Sequence, residues 1–557
     1  MPPLQDIDLR EIDSKDAPSR KDALDARLLG PGLLLRIAIF GTLLAYAQTI
    51  NFEFVYDDFP LIVMNPWLSS WHGLRQIFLH HCWGFMETYM PARYYRPVYM
   101  AWMWGVTQLF GAVPGWFHLC AVLTQVAAAI MAFRLAKVLL RDDLSAAIAC
   151  VVFATHPTKA EGAAWISAVC EPLLAVFLFA AVLTYIRWRD EGEDGRYWLL
   201  LSLLCSLLAF FTKETAVVLP LILLAYEIFL RDEVHRGWLI LKRLLPFLLA
   251  EFVFLASRYL VLHGAGDNSF FKSPKNILLS LPIAFWIYVR QLVWPVRLSA
   301  FYPPVYVAPI RFLNFGLPLL AVLLLAAVYL KLARRDPVLK FAAVWYLLTL
   351  SPVAAAFYWL QYHDRYLTLP SFGAALMAAV AIRRIRSWRG LSATELQVAL
   401  VTILAVVWTG LSAWNAHFYE DDLTTFTRAV QVAPTNAEAI DLLAGAQKNR
   451  GQHEAAAKTL AAGLRAVPNS SRLKRAAAED LVERGDLPKA EQLYRELLDK
   501  ATTNDERAFA YSALGRIALK QNHLQEAGVY IKAAAAEMPN VVEYENALEN
   551  LQRVIQP

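Results

Sequence analysis

Apolar runs of roughly 15 to 25 residues recur along the chain as far as Trp414 and then stop. A run of that length is what an α-helix needs to cross a hydrocarbon core of about 30 Å. Inside lipid every backbone N–H and C=O must be satisfied, and helices do this within a single segment. The chain is therefore expected to be all-α, a polytopic membrane helix bundle. Composition agrees: 57% of the 557 residues are hydrophobic and 18% are charged, too apolar for an ordinary soluble domain. The formal charge of +5 is small and lies in short clusters between the runs, which argues against a nucleic-acid partner. Five cysteines without a CxxC imply neither a disulfide framework nor a zinc site.

The basic clusters set sidedness. Arg134/Lys137/Arg141, Arg187/Arg189/Arg196, Arg231/Arg236/Lys242/Arg243, Lys331/Arg334/Arg335/Lys340 and Arg383/Arg384/Arg386/Arg389 fall in alternate loops. They and the N-terminus are expected in the cytoplasm. The alternation holds if stretches 96–111 and 277–295 are interfacial helices; the first is rich in Trp, Tyr and Met, and the second carries Pro282 and Arg290. About eleven spans remain, near 33–52, 115–138, 143–156, 168–188, 197–212, 214–230, 243–263, 312–333, 339–357, 368–382 and 396–414. The first lacks a small-residue cleavage site and reads as an uncleaved signal anchor. An odd number divides the chain into a cytoplasmic segment 1–32, a transmembrane unit 33–414 and an outward-facing tail 415–557.

That tail is polar, alanine-rich and repetitive. A shift of 34 places Gly451 over Gly485 and Ala456 over Ala490, and Leu514, Gly515, Ala527 and Pro539 fit the tetratricopeptide pattern. Three repeats are expected, about 437–470, 471–504 and 508–541. They would form an α-solenoid with a groove for a peptide or partner protein.

The unusual polar residues gather on the outward loops. In "VYDDFPL", Asp57 and Asp58 are adjacent, so their side chains point in different directions and should do separate jobs. Converging near 4 Å they would repel by about 4 kcal/mol at an effective dielectric of 20, enough to make one a base near neutrality. Asp58 also fits a helix N-cap, with Pro60 in the first turn. "ARYYRPVYM" brings Arg93, Tyr95 and Arg96 to the surface, where arginine suits a phosphate or a snorkelling anchor. "THPTKAEGAAWISAVCEP" holds His156, Lys159, Glu161 and Glu171 at the lip of two spans, and carboxylates there are expensive and usually functional. A divalent metal on His156 and Glu161 is a weaker reading. Lys213 and Glu214 in "FTKET" either neutralise each other or offer Lys213 to a lipid phosphate. "YHDRYLTLPS" clusters His363, Asp364 and Arg365, and Arg258 lies near the outer end of its run. No nucleotide-binding loop or catalytic-serine elbow occurs, so the energy must come from the substrate.

The acidic pair after the first span, with "YYRPVYM", "HPTKAEGAAWISAVCEPLLA", "FTKETAVVLP", "LSAFYPP" and "DRYLTLPSFG" in that order and the repeats behind them, resembles the GT-C superfamily of lipid-dependent glycosyltransferases. The likeness is to the transmembrane and tetratricopeptide-repeat-containing O-mannosyltransferases and their bacterial relatives. Two departures stand out: Tyr56 takes the place of a common Trp, and the repeats are fewer than usual. The resemblance implies inverting transfer of one sugar, mannose or another hexose, from a polyprenyl-phosphate carrier to a hydroxyl of a protein or envelope acceptor, in a bacterial inner membrane with the repeats in the periplasm. It makes Asp57 the general base, with Asp58 positioning the acceptor or a metal. Arg365, Lys213, Arg96 and then Arg258 are the expected lipid-phosphate ligands. His156, Glu161, Glu171, Glu214, Tyr95, Arg93, His363 and Asp364 are expected to position substrate. A metal, if used, would take Asp58, His156 and Glu161.

Two other classes compete with a transferase. A lipid-linked sugar flippase should carry mid-membrane charges and paired halves, whereas these charges collect at one face. A membrane scaffold needs a single span to anchor its repeats.

Overall fold

The computed structural model describes residues 30–86, 94–231, 237–262, 274–303, 307, 309–356, 362–388, 390–539, 541, 544, 546, 547 and 549. Among them the regular structure is helical, with one isolated bridge between Trp388 and Leu391. It forms two compact units, one ending at Asp421, the other made of Phe301–Pro303 and the chain from Asp422.

The first unit contains α1 (Pro31–Tyr46), α2 (Trp71–Leu79), α3 (Pro97–Phe110), α4 (Pro114–Leu140), α5 (Asp143–Thr155), α6 (Ala160–Ala164), α7 (Cys170–Glu191) and α8 (Arg196–Thr212). It continues with α9 (Leu219–Phe229), α10 (Gly237–Val261), α11 (Pro274–Val293), α12 (Leu317–Ala333), α13 (Pro337–Ala356), α14 (Pro370–Ile382) and α15 (Ala393–His417). Among the described residues five segments are long and apolar enough to cross a membrane: Pro31–Asn51, Pro114–Leu140, Ile166–Glu191, Phe312–Ala333 and Ala393–His417. The chain is a multi-pass membrane protein. Five further apolar helices are shorter. Helix α3, read from sequence as interfacial, has 14 residues and is about 21 Å long, short of the hydrocarbon core.

Proline opens the first turn of α1, α3, α4, α9, α12 and α14, where the missing N–H would have no intrahelical partner in any case. Helix α5 lies at the centre, buried along its whole length from Ser145 to Thr155 and packed by α1, α4, α14 and α15. Its sequence, DLSAAIACVVFAT, supplies the small side chains that let membrane helices approach closely. Asp142 caps it, accepting the Ser145 N–H at 2.8 Å. The central helix ends at His156–Pro157, and the segment that follows builds the site.

The basic-loop end of the bundle is locked by Glu227 of α9, which is 0% exposed. Its carboxylate accepts the Tyr185 hydroxyl at 2.7 Å, Arg189 Nε at 2.7 Å and Arg243 Nη1 at 3.2 Å, so three helices meet on one charge. Removing one partner of a buried pair leaves uncompensated charge, at a cost of roughly 3–5 kcal/mol. Glu227→Ala should therefore lower thermal stability in detergent markedly, whereas Lys137→Ala, which breaks an exposed pair with Asp143, should barely change it.

The second unit strings together α16 (Asp422–Val432), α17 (Ala437–Asn449), α18 (His453–Ala466), α19 (Ser471–Glu483), α20 (Leu487–Lys500), α21 (Asn504–Lys520) and α22 (Leu524–Glu537), each packed on the next. The alignment of Gly451 with Gly485 has a backbone cause. Both stand two residues past a helix end with φ of +75° and +81°, the left-handed position that glycine fills without strain. Asn522, φ 63°, takes the same place after α21. A Cβ on Gly463 would meet Ile440 at 2.7 Å, and one on Gly515 would meet Ile531 at 2.9 Å.

Candidate active site

The chain turns sharply before the acidic pair because Tyr56 adopts φ +52°, a left-handed conformation that a bulky residue takes only when its surroundings impose it. The turn separates the two carboxylates. Asp58 points inward and is fully buried, accepting Val55 N–H at 3.0 Å, Ser167 N–H at 2.8 Å and the Ser167 hydroxyl. Asp57 stays half-buried. Although Asp58 precedes the short turn Phe59–Val63, its side chain caps nothing there, so the helix-cap reading is corrected: its donors are Val55 just before it and Ser167 from across the fold.

Burial pushes the Asp58 acid up to about 7, against the pull of its three donors. An acid raised in the native state contributes stability that is fully present below its unfolded value near 4 and is lost as pH rises through about 7. Unfolding temperature should therefore fall between pH 4.5 and 7.5 in wild type. Asp58→Asn should lose that part of the slope, and a wild-type slope retained in full would exclude Asp58 as its source.

Ser167 lies on the segment after α5, which also reaches the loop before α14. Trp165 donates its indole N–H to Val55 O at 3.2 Å, and its ring lies 6.1 Å from that of Tyr56. The other side of Trp165 carries Arg365, whose guanidinium carbon is 4.8 Å from the ring centroid. The segment thus ties residues 55–58 to residues 363–371.

Three expected phosphate ligands come together. Lys213 Nζ and the Arg365 guanidinium lie 5.0 and 5.3 Å from the centroid of the shared Tyr366 ring. Arg96 lies 4.4 Å over the Tyr94 ring, and the charges of Arg96, Lys213 and Arg365 all act on buried Cys170. Each cation has its own carboxylate: Arg96 contacts Glu214 at 2.8 Å, Lys213 pairs with Glu171, and Arg365 pairs with Glu161. Lys213 and Glu214, adjacent in sequence, do not neutralise each other; Lys213 has extended backbone, and a 3-10 turn carries Glu214 away from it. Burial raises the Glu161 carboxyl, but Arg365 and His363 more than offset this and hold it below the usual carboxylate range.

Other expected residues are placed elsewhere. His156 contacts Thr158 Oγ1 at 2.8 Å and Leu292 O at 3.0 Å, so both ring nitrogens are engaged away from the cations. Tyr95 donates its hydroxyl to Phe78 O at 2.8 Å, and it is Tyr94 that faces Arg96. Asp364 accepts Ser299 N–H at 3.1 Å and holds a loop. His363 Nδ1 lies 3.2 Å from Glu161. Arg258 acts on Glu214 through its charge. Arg93 lies outside the described residues. Asp58, His156 and Glu161 do not form a metal-ligand set: each is committed to different partners, and no cluster of three or more suitable side chains occurs among the described residues. Sequence reasoning passed over Trp165, Ser167, Tyr94 and Tyr366, although all four stand inside quoted motifs.

Residues 95–262 match the family described as dolichyl-phosphate-mannose-protein mannosyltransferase. The chain is 28% identical over 224 residues to Protein O-mannosyl-transferase TMTC1 of Mus musculus, covering 38% of this chain and 24% of that protein. It is 23% identical over 428 residues to Protein O-mannosyl-transferase F38B6.6 of Caenorhabditis elegans, covering 72% of this chain and 58% of that one. The chain thus spans about a quarter of the mouse relative's length. A crystal structure of ArnT from Cupriavidus metallidurans bound to undecaprenyl phosphate aligns over 85% of this chain and 81% of its own at 16% identity, with a TM-score of 0.37, too low to bear on the fold. In sequence the chain resembles the protein O-mannosyl-transferases.

Proposed function

We propose that the protein is a membrane glycosyltransferase of GT-C type that moves a single sugar, mannose or another hexose, from a polyprenyl-phosphate carrier to a hydroxyl of a protein acceptor. The observation that carries this reading is the gathering of Arg96, Lys213 and Arg365 around Tyr366 and Cys170, joined through Trp165 to the turn that presents Asp57. Three cations matched by three carboxylates add no net charge, so a phosphate is held through N–H donors still available. Arg365 commits Nη1 to Glu161 and Arg96 commits Nε and Nη2 to Glu214, leaving part of each fork for a second anion. Glu214 Oε1 and Thr215 Oγ1 beside them are buried without a hydrogen-bond partner among the described residues, the condition of atoms awaiting a polar substrate. The matched family's description names a dolichyl-phosphate-mannose donor and a protein acceptor, which supports the same chemistry.

In this mechanism Asp57 removes the acceptor proton as the hydroxyl attacks the anomeric carbon. The carrier phosphate departs, and fixed cations stabilise the charge growing on it. One displacement inverts the anomeric centre. Asp58 holds the turn that aims Asp57. The site faces outward, N-terminus cytoplasmic, and the helix pairs of the second unit serve as tetratricopeptide repeats that present the acceptor.

The purified protein should be reconstituted with polyprenyl-phosphate mannose and a serine- or threonine-containing peptide, and product followed by mass and anomeric configuration. A peptide gaining one hexose in inverted configuration is expected. Carrier movement across the vesicle without sugar release would replace this reading with a flippase.

A further inference from the structure

Lys159 is 0% exposed, yet among the described residues it pairs with no carboxylate. Its Nζ donates to Ser371 Oγ at 2.5 Å and to Thr368 O at 3.4 Å, and lies 4.6 Å from the centroid of the Phe153 ring. An ammonium buried without a counter-charge costs several kcal/mol even after relaxation, so an apolar side chain would suit mere packing better. The contacts lead to Arg365. Thr368 O also accepts the Ser371 hydroxyl at 2.8 Å, and Thr368 N–H donates to Arg365 O at 3.0 Å. From the other side, Arg365 N–H donates to Glu161 Oε2 at 2.9 Å. The backbone of Arg365 is thus held at both its groups by residues 159–161, directly at Glu161 and through the Thr368 peptide at Lys159.

On the proposed transferase reading, we infer that Lys159 is a positioning residue for the donor phosphate: through Thr368 it sets where Arg365 presents its remaining N–H donors. It touches no substrate atom. Burial lowers its ammonium to about 7, with Glu171 opposing. The titratable groups facing it are Glu171 at the start of α7 and His156 at the end of α5. Between pH 6 and 8 the amine therefore passes from the charged to the neutral form, a weaker donor to Thr368 O. The grip on the Arg365 turn loosens as pH rises.

The test uses the full chain in lipid nanodiscs, with polyprenyl-phosphate mannose as the probe. Small misplacements of a binding group cost up to a hundredfold, so Lys159→Met should raise KM for this donor by about tenfold, with kcat changed less than about threefold. Ser371→Ala should act in the same direction, by about threefold, and carries the test if Lys159→Met does not fold. Added to Arg365→Lys, Lys159→Met should cause no further loss, because the group it positions has lost its fork. The wild-type rise in donor KM between pH 6 and 8 should flatten in Lys159→Met. Losses that multiply with those of Arg365→Lys, or a Lys159→Met enzyme with wild-type donor KM and pH profile, overturn the inference alone. A wild-type protein that neither binds nor uses this donor overturns the proposed function itself.

Discussion

Asp57→Asn is expected to lower sugar transfer by about 10²–10⁴-fold, the usual contribution of a positioned general base, while leaving insertion and folding intact. Asparagine keeps the size and much of the polarity of aspartate but cannot take up the acceptor proton. The position is half-buried at a turn whose geometry is set by its neighbours, Tyr56 behind it and Asp58 clamped to Ser167. On the proposed mechanism the loss should appear in kcat, with the KM for donor little changed, because that reading gives the carrier phosphate to Arg96, Lys213 and Arg365. Measuring initial rates with saturating polyprenyl-phosphate mannose, alongside thermal unfolding, separates the two effects. An Asp57→Asn protein that is stable and fully active would remove the base from the mechanism. The same loss together with a collapsed unfolding temperature would place Asp57 in the scaffold instead.

Arg365→Lys is the second large effect. Lysine keeps the positive charge that Glu161 needs, so the cost of stranding a buried carboxylate is avoided. It loses the planar fork that can hold Glu161 and a phosphate together. It also loses much of the flat contact with Trp165 and Tyr366, whose centroids lie 4.8 and 5.3 Å from the guanidinium carbon. A fixed donor aimed at growing negative charge is typically worth about 10²–10³ in rate. We expect kcat/KM for the donor to fall by that order, through a raised donor KM as well as a lowered kcat, since the fork would hold the phosphate before its charge grows as well as after. Initial rates over a range of donor concentrations check this. A loss confined to the acceptor's KM would move Arg365 out of the phosphate cradle.

The membrane bundle was legible from the lengths of the apolar runs, and the tail's helix pairs from the recurrence of glycine two residues past a helix end. The cations were legible as well, since a charge at the lip of an apolar helix is too expensive to keep without use. Partner choice was not. Lys213 and Glu214 are neighbours in sequence and part company because the backbone bends between them, while Glu161 meets Arg365 across 204 residues. No periodicity encodes such a pairing. Asp58 read equally well as a helix cap because its partners, Val55 and Ser167, are fixed only when the loop after α1 packs under Trp165. Tyr94 and Tyr95 could not be ranked from sequence: which of two adjacent rings faces Arg96 depends on where the chain enters α3. Glu227 was missed because Arg189 and Arg243 were read only as topology signals, and the helices that carry them meet α9 only once the bundle has formed.

The stretch from Glu161 to Glu171 contributes two of the three carboxylates that hold the cations, the indole that joins both loops, and the serine that clamps Asp58. This makes it the one stretch on which both loops depend. Swapping the Asp57 loop alone from a distant homologue would import a turn without its clamp, and swapping the Arg365 loop alone would import an arginine without its anchor. Chimeras in this protein should be cut so that all three pieces come from one parent.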